Sequence, residues 1–386
     1  MNSRERVKKA LNHEPTDRVP IDLGGYQSGM CWRAYKNVKE FLIAREEVVE
    51  LSESPYSLNI FEPLQSLARV DEGIKELFGV DTRYVHPKAP SNWELNIQYG
   101  KGKTMYRDWW GVGMVKNKDS EYFDPVLNPL EEATVKDLDN YQWPKVDSGI
   151  VEGLSEKAKT LDEESEYAIF STVPGLYEIA WYLTGMPRML KAWVNNKYFI
   201  EKLLDKVLDV LKEFHEIFLG EIGEYLDLVQ FFDDLGGQEN PLFDPELYRE
   251  VIKPRHNEMV TFIKKRTEAK VAQHCCGVIR PFLDDMIEIG IDVVNPVQVS
   301  AGGNRDTEAL KQDYGSKIVF WGGVDTQRVL PFGNTEEVEQ EVARRVKELG
   351  PGGGYILASV HNIQNDVPPE NIVQMYETAK NIRLEG

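Results

Sequence analysis

The stretch Lys270-Val271-Ala272-Gln273-His274-Cys275-Cys276-Gly277 runs from a short apolar strand pattern into a glycine turn, just before an amphipathic helical pattern. That helical pattern covers 279–289 and is followed by another apolar β-type run at 291–297. Strand, helix and strand in such close succession make the unit of a parallel sheet. Outward from it, the same alternation continues in both directions. Strands are expected at 18–23, 80–86, 167–172, 225–233, 270–275, 291–297, 318–323 and 355–360. Helices are expected at 31–45, 176–182, 198–223, 245–266, 279–289, 306–312, 335–349 and 369–384. Start signals support several of the helices, such as Asp244-Pro245-Glu246 and Asn334-Thr335-Glu336-Glu337, with proline or acids in the first turn. About eight strand-helix units imply an α/β protein whose parallel sheet closes into a (β/α)8 TIM barrel, in one domain spanning 1–386. A doubly wound open sheet is the rival, but no Gly-x-Gly-x-x-Gly follows an early strand.

One segment breaks the alternation. Residues 87–144 are rich in aromatics and turn residues, including Trp93, Tyr106, Trp109, Trp110, Trp143 and the turn Tyr99-Gly100-Lys101-Gly102. This reads as a β-hairpin and loop insertion that covers one barrel end, its tryptophans packing locally or forming a lid over a substrate.

Composition narrows the function. Lysine and arginine total 45 against 64 aspartates and glutamates, a net charge of −19, which disfavours nucleic acid and anionic membranes as partners. Met1-Asn2-Ser3-Arg4-Glu5-Arg6 leads directly into a polar amphipathic helix, and no apolar run approaches the ~20 residues of a membrane span. A cytoplasmic enzyme is the expectation. Three cysteines, two of them adjacent, do not make a disulfide framework.

With only three cysteines and six histidines in 386 residues, the cluster at 274–276 stands out. His274 and Cys276, two apart at a strand end, are expected to project to the same side. His361 closes another apolar strand, Tyr355-Ile356-Leu357-Ala358. If both ends open on one face, His274, Cys276 and His361 form a three-ligand metal site with an open position, the arrangement of catalytic zinc. Cys275 alternates away and reads as a packing thiol; Cys31 reads as structural. The turn Phe231-Phe232-Asp233-Asp234-Leu235-Gly236-Gly237-Gln238 lies at the same barrel end and offers Asp233, Asp234 and Gln238 as catalytic groups or a further ligand. Asn295, Gln298, Asp325 and Gln327 close two more strands and are candidates for substrate contact. His215 and His256 fall in helices, and His86 is a marginal site candidate.

The chain also resembles the uroporphyrinogen decarboxylase superfamily. The resemblance is carried by Arg4-Glu5-Arg6-Val7-Lys8-Lys9-Ala10-Leu11, Asp17-Arg18-Val19-Pro20, His274-Cys275-Cys276-Gly277, Gly322-Gly323-Val324-Asp325-Thr326-Gln327, Gly352-Gly353-Gly354-Tyr355-Ile356-Leu357-Ala358 and Asp366-Val367-Pro368-Pro369-Glu370-Asn371. It spans essentially the whole chain and implies a (β/α)8 barrel. In the decarboxylases proper, an arginine-rich segment near the N-terminus binds the porphyrin carboxylates. Here the matching stretch, Asp22 to Cys31, contains no arginine, and eight carboxylates need cationic partners. The cobamide-dependent methyltransferase branch binds zinc through a His-x-Cys pair, which His274-Cys275-Cys276 matches, and a later cysteine, where this chain has His361 in Ala358-Ser359-Val360-His361.

What the resemblance implies is therefore a corrinoid-dependent methyltransferase with zinc held by His274, Cys276 and His361. Two neutral imidazoles and one thiolate leave the site at +1, a stronger Lewis acid than one with two thiolates. That favours polarising the leaving oxygen of a small O-methyl donor, with the methyl group passing to the Co(I) corrinoid of a partner protein. Methyl transfer from a corrinoid to a thiol is one alternative; a metal-independent decarboxylase of a carboxylated substrate is the other.

Overall fold

The computed structural model describes residues 1–46, 60–118, 120 and 122–384. Seven parallel strands form its main sheet: β1 Thr82–Tyr84, β2 Ala168–Val173, β3 Leu228–Phe232, β4 Lys270–His274, β5 Val293–Asn295, β6 Val319–Val324 and β7 Tyr355–Ser359. Each pairs with its neighbours in chain order, as right-handed strand-helix-strand units require. The strand expected at 18–23 survives as a single parallel bridge between Ile21 and Leu357. It still joins the two edges of the sheet. Leu357 N donates to Pro20 O at 2.8 Å and Asp22 N to Leu357 O at 2.9 Å on one side, and Asp81 N donates to Ile21 O at 2.8 Å on the other. Pro20 has no N–H to add another rung beside β7, so the eighth strand stays short. The ring is that of a TIM-like (β/α)8 barrel.

Alternate residues of the strands fill the barrel interior. Phe170, Leu228, Ala272, Val293, Trp321 and Ile356 share one buried cluster, into which Val7 and Leu11 of helix Ser3–Leu11 insert from the end where the strands begin. Phe170 meets Trp321 edge-on at 5.5 Å. Backbone bonds from Gly354 N to Ala10 O and from Arg4 N to Glu166 O seat this helix across that end as a plug. The opposite, C-terminal end is left to polar residues.

The helices follow the expected order with local differences. The helix expected at 245–266 runs from Pro245 to Lys264 and contains a π-helical turn, Tyr248–Ile252, next to Pro254. The one expected at 279–289 is a 3₁₀ turn, Arg280–Phe282, with Pro281 in its first turn where no intrahelical N–H is needed, followed by Leu283–Glu288. The 87–144 insertion is more ordered than a hairpin and loop. It is a four-stranded antiparallel sheet, Gln98–Gly100, Lys103–Arg107, Gly113–Asn117 and Asp124–Leu127, lying between β1 and β2 in the chain. Lys101 and Gly102, both left-handed at φ 48° and 73°, make its first turn a two-residue hairpin of the type that fits strand twist. Among the described residues no helix is long and apolar enough to cross a membrane.

Candidate metal centre

Parallel strands aim their C-terminal ends at one face of the barrel, and β4 and β7 deliver His274, Cys276 and His361 there. The three ligand atoms lie within 4.8 Å of one another. Cys276 Sγ is 3.3 Å from His274 Nε2, and the two imidazoles meet edge-on with ring centroids 5.7 Å apart. Four-coordinate zinc spaces its ligand atoms by roughly 3.3–3.8 Å, so side-chain adjustment of about 1 Å closes the set around an ion.

The imidazole of His274 is held in one tautomer. Its Nδ1 lies 2.6 Å from Asn295 Oδ1, and the same oxygen accepts from Gln230 Nε2 at 3.1 Å. Asn295 Nδ2 donates to Trp321 O at 3.3 Å, which fixes the amide's orientation. Because Asn295 offers only an oxygen to the ring, the proton sits on Nδ1 and the Nε2 lone pair faces Cys276. The relay extends to Thr172, whose hydroxyl donates to Gln230 Oε1 at 3.3 Å, so β2, β3, β4 and β5 all contribute to one orienting chain. Asn295, expected to touch substrate, stands behind the ligand and positions it.

Burial sets the protonation states. It pushes His274 and His361 down to about 4, with the Asn295 bond opposing it at His274 and the Asp234 carboxylate opposing it at His361. Both imidazoles are therefore neutral, as metal ligands must be. Burial, reinforced by Asp234, Cys275 and Glu178, pushes the Cys276 thiol well above its usual range. A cation reverses that preference and draws out the thiolate.

The turns that carry these ligands are locked at backbone level. Gly277 has φ +79°, and a Cβ there would lie 2.4 Å from Gly237 O. The 276–278 and 236–237 turns thus touch backbone to backbone, with Val278 N donating to Gly237 O at 2.9 Å. Asn304 closes the same turn by donating to Gly277 O at 2.7 Å. On the other side, Asn362 accepts from Gly29 N at 2.6 Å and donates to Tyr26 O and Gln65 Oε1, anchoring the loop of His361.

The two acids after β3 divide the work. Asp233 is fully buried; it accepts from Leu176 N and Glu178 N at the start of helix Tyr177–Thr184 and lies 2.7 Å from His256 Nε2. Its oxygens are committed to holding that helix, which is a different task from the catalytic one expected. Asp234 accepts from Cys276 N at 2.7 Å and lies 3.9 Å from His274 Nε2. Its side chain retains 38% of its exposure, yet it sits in a concave mouth where surrounding protein displaces water, and that desolvation raises its carboxyl.

Gln238, Gln298 and Gln327 converge in one amide network. Gln298 accepts from Gly277 N at 2.7 Å and donates to Gln238 Oε1 at 3.0 Å, and Gln327 donates to the same oxygen at 3.4 Å. Asp325 is spent on its own turn, accepting from Gln327 N and Arg328 N. Cys275 is buried, its sulfur accepting from Leu235 N at 3.2 Å.

A group absent from the sequence reading is Glu178. Burial, with the Asp234 and Asp233 carboxylates, raises it well above the usual carboxyl range, and Tyr182 donates to it at 2.5 Å. It enters the field of Cys276 as well. Its only sequence signal is one acid in the otherwise apolar run Leu176–Leu183.

Fold and site together define a (β/α)8 barrel protein with a two-histidine, one-cysteine candidate metal centre at the C-terminal face. The uroporphyrinogen decarboxylase (URO-D) family model matches residues 111–382, and the chain belongs to that family. It is 24% identical over 280 residues to the uroporphyrinogen decarboxylase of Synechocystis sp., covering 67% of this chain and 77% of that one. The chloroplastic uroporphyrinogen decarboxylase 2 of Oryza sativa subsp. japonica is 24% identical over 282 residues, covering 70% and 66%. Among solved structures, a methyltransferase from Methanosarcina mazei superposes with a TM-score of 0.62 at 19% identity and covers 98% of both chains, a likeness of fold.

Proposed function

We propose that this protein is a zinc-dependent methyltransferase that moves a methyl group from a small O-methyl donor to the Co(I) corrinoid of a partner protein. The observation that carries this reading is the convergence of His274, Cys276 and His361 within 4.8 Å at the open face of the barrel. The donor set fits zinc: two neutral imidazoles, one thiol, a fixed tautomer at His274 and adjustable spacing. Bound there, zinc supplies Lewis-acid polarisation of the donor's oxygen. The chain's own residues do the rest. Asn295 presents the Nε2 lone pair of His274. Burial and the Asp234 and Asp233 charges raise Glu178 well above the usual carboxyl range, and burial with the Asp233 charge raises Asp234. The protonated carboxyl is thus favoured beside the site, where a proton serves the oxygen that loses its methyl group. The amides of Gln238, Gln298 and Gln327 fix the rim.

A decarboxylase reading is favoured by one observation, that the relatives from Synechocystis and Oryza are uroporphyrinogen decarboxylases. Against it stand the absence of arginine from Asp22 to Cys31 and the occupation of Asp22 inside the barrel. There it accepts from Tyr84 at 2.8 Å and from Trp321 Nε1 at 3.1 Å. The deciding experiment measures the metal content of protein purified without added zinc or a metal-binding tag, then methyl transfer from O-methyl donors to Co(I) cobalamin. About one zinc per chain is expected, lost together with turnover in His361→Ala. A protein that takes up no zinc, or a fully active His361→Ala variant, removes the metal-centred reading and leaves the decarboxylase.

A further inference from the structure

A cleft of about 810 Å³ opens beside the barrel mouth, in the size range of small-molecule sites. It includes residues at or just past the C-terminal ends of the first bridge and of β1, β2 and β3, namely Gly24, His86, Val173 and Phe232, whereas the candidate metal ligands lie at or just past the ends of β4 and β7. Both sites therefore open on the C-terminal face. Thr172, which begins the relay to His274, is also part of the cleft wall.

Its upper wall is a column of rings around His86. Tyr26 stacks on the imidazole at 4.1 Å, Tyr84 at 5.0 Å and Phe61 at 5.7 Å, all within 23° of parallel. Neither His86 nitrogen has a hydrogen-bond partner among the described residues, and both are sealed from bulk water. An imidazole carries one N–H and one lone pair, and leaving both unmade inside a protein costs free energy. Two cations act on this ring, Lys157 and Arg69. Arg69 lies 5.8 Å from the Phe61 ring centroid, and Lys157 donates to Tyr84 O at 3.0 Å. Neither has a carboxylate within ion-pair distance among the described residues, in a chain of net charge −19. Of the acids that line the cleft, burial lifts Glu62 and Asp108 to about 7, whereas Asp71 is paired with Lys39 and Glu72 with Arg83 and Lys75.

We propose that this cleft binds a planar aromatic ring carrying an anionic group: the ring against the aromatic walls, the anion between the His86 N–H, Arg69 and Lys157. The inference names the class of methyl donor and to that extent rests on the proposed function; the binding itself stands without it. An aryl carboxylate answers the imidazole N–H and both cations at once, leaving only the ring's lone pair unmet. The ring stacks where aromatics prefer to stack, the imidazole gains an acceptor, and the two cations gain a counter-charge.

The test is calorimetric titration of the full chain with benzoate, 3-methoxybenzoate, benzamide and cyclohexanecarboxylate. Both aryl carboxylates are expected to bind saturably, at least tenfold more tightly than the uncharged amide or the saturated ring. His86→Phe, which keeps the stack and deletes the nitrogens, should raise Kd at least tenfold. The exposed Arg69→Gln, which leaves the fold untouched, should raise it at least threefold. Cys276→Ala should leave Kd within twofold. Absence of saturable binding, equal binding of benzamide, or unchanged affinity in Arg69→Gln and a folded His86→Phe overturns the inference. Tight binding of 3-methoxybenzoate without loss of its methyl group would support this site and sink the methyl-transfer reading. Methyl transfer from donors indifferent to ring and charge would do the reverse.

Discussion

At the residue scale, the site depends on an amide that touches no reacting atom. Asn295 Oδ1 fixes the proton of His274 on Nδ1 and so decides which nitrogen is free. Asn295→Leu keeps the volume and removes the acceptor, and should lower zinc affinity about 10–100-fold, the usual cost of losing such a partner. Asn295→Asp keeps an oxygen there and should retain most of the affinity. Competition with a chromophoric chelator measures both; equal affinity in Asn295→Leu would mean the tautomer is set elsewhere. The candidate ligands were legible in the sequence because histidine and cysteine are rare here and the spacing of His274 and Cys276 matched strand geometry. Asn295 was legible only as a polar residue at a strand end, since nothing local says whether such a residue faces substrate or a neighbouring imidazole. Asp233 and Asp234 look equivalent in sequence, yet the backbone turn gives one to the helix behind and the other to the site in front.

At the element scale, legibility followed burial. Strands covered on both faces are continuous apolar runs, and β2 to β7 fall within a few residues of their expected positions. Of the insertion sheet the sequence showed only a hairpin, at the turn 99–102; its other strands are short and partly exposed, with no alternation to read. That sheet carries a titratable group with a definite sign. Asp108 Oδ1 accepts from Trp110 N at 2.9 Å and Val112 N at 2.8 Å. Burial lifts its carboxyl to about 7, from about 3.9 in an unfolded chain. The folded state thus binds more protons between those values, so stability falls as pH rises from about 4 to about 7 and is flat above. Asp108→Asn preserves the accepting oxygen and removes the titration. Its advantage should grow across that window to about 1–2 kcal/mol once partial exposure is discounted, or about 2–4 °C in melting temperature at pH 8.5. Matched thermal scans at pH 4.5 and 8.5 check this, and a constant difference at both would place the carboxyl's pKa near its ordinary value.

At the scale of the whole molecule, the two ends of the barrel carry opposite kinds of work. The end where the strands begin is closed by Val7 and Leu11, 0% and 3% exposed, and its polar neighbours pair with one another: Asp81 meets both Arg6 and Arg18 within 2.8 Å. The C-terminal end holds neutral imidazoles, raised carboxyls and, among the described residues, ring nitrogens without partners and cations without a carboxylate, groups whose arrangement costs stability unless a ligand completes it. If this division is right, the ends respond independently to substitution. Leu11→Ala removes a plug side chain from the interior cluster and should cost about 2–4 kcal/mol in chemical unfolding. Zinc content and chelator competition should stay at wild-type values, because no hydrogen bond or ion pair joins Leu11 to the ligand turns. Coupling between the two, seen as metal affinity falling with the plug, would show that strain at the closed end is transmitted along the strands. The barrel would then have to be treated as one cooperative site rather than a stable floor beneath an adaptable mouth.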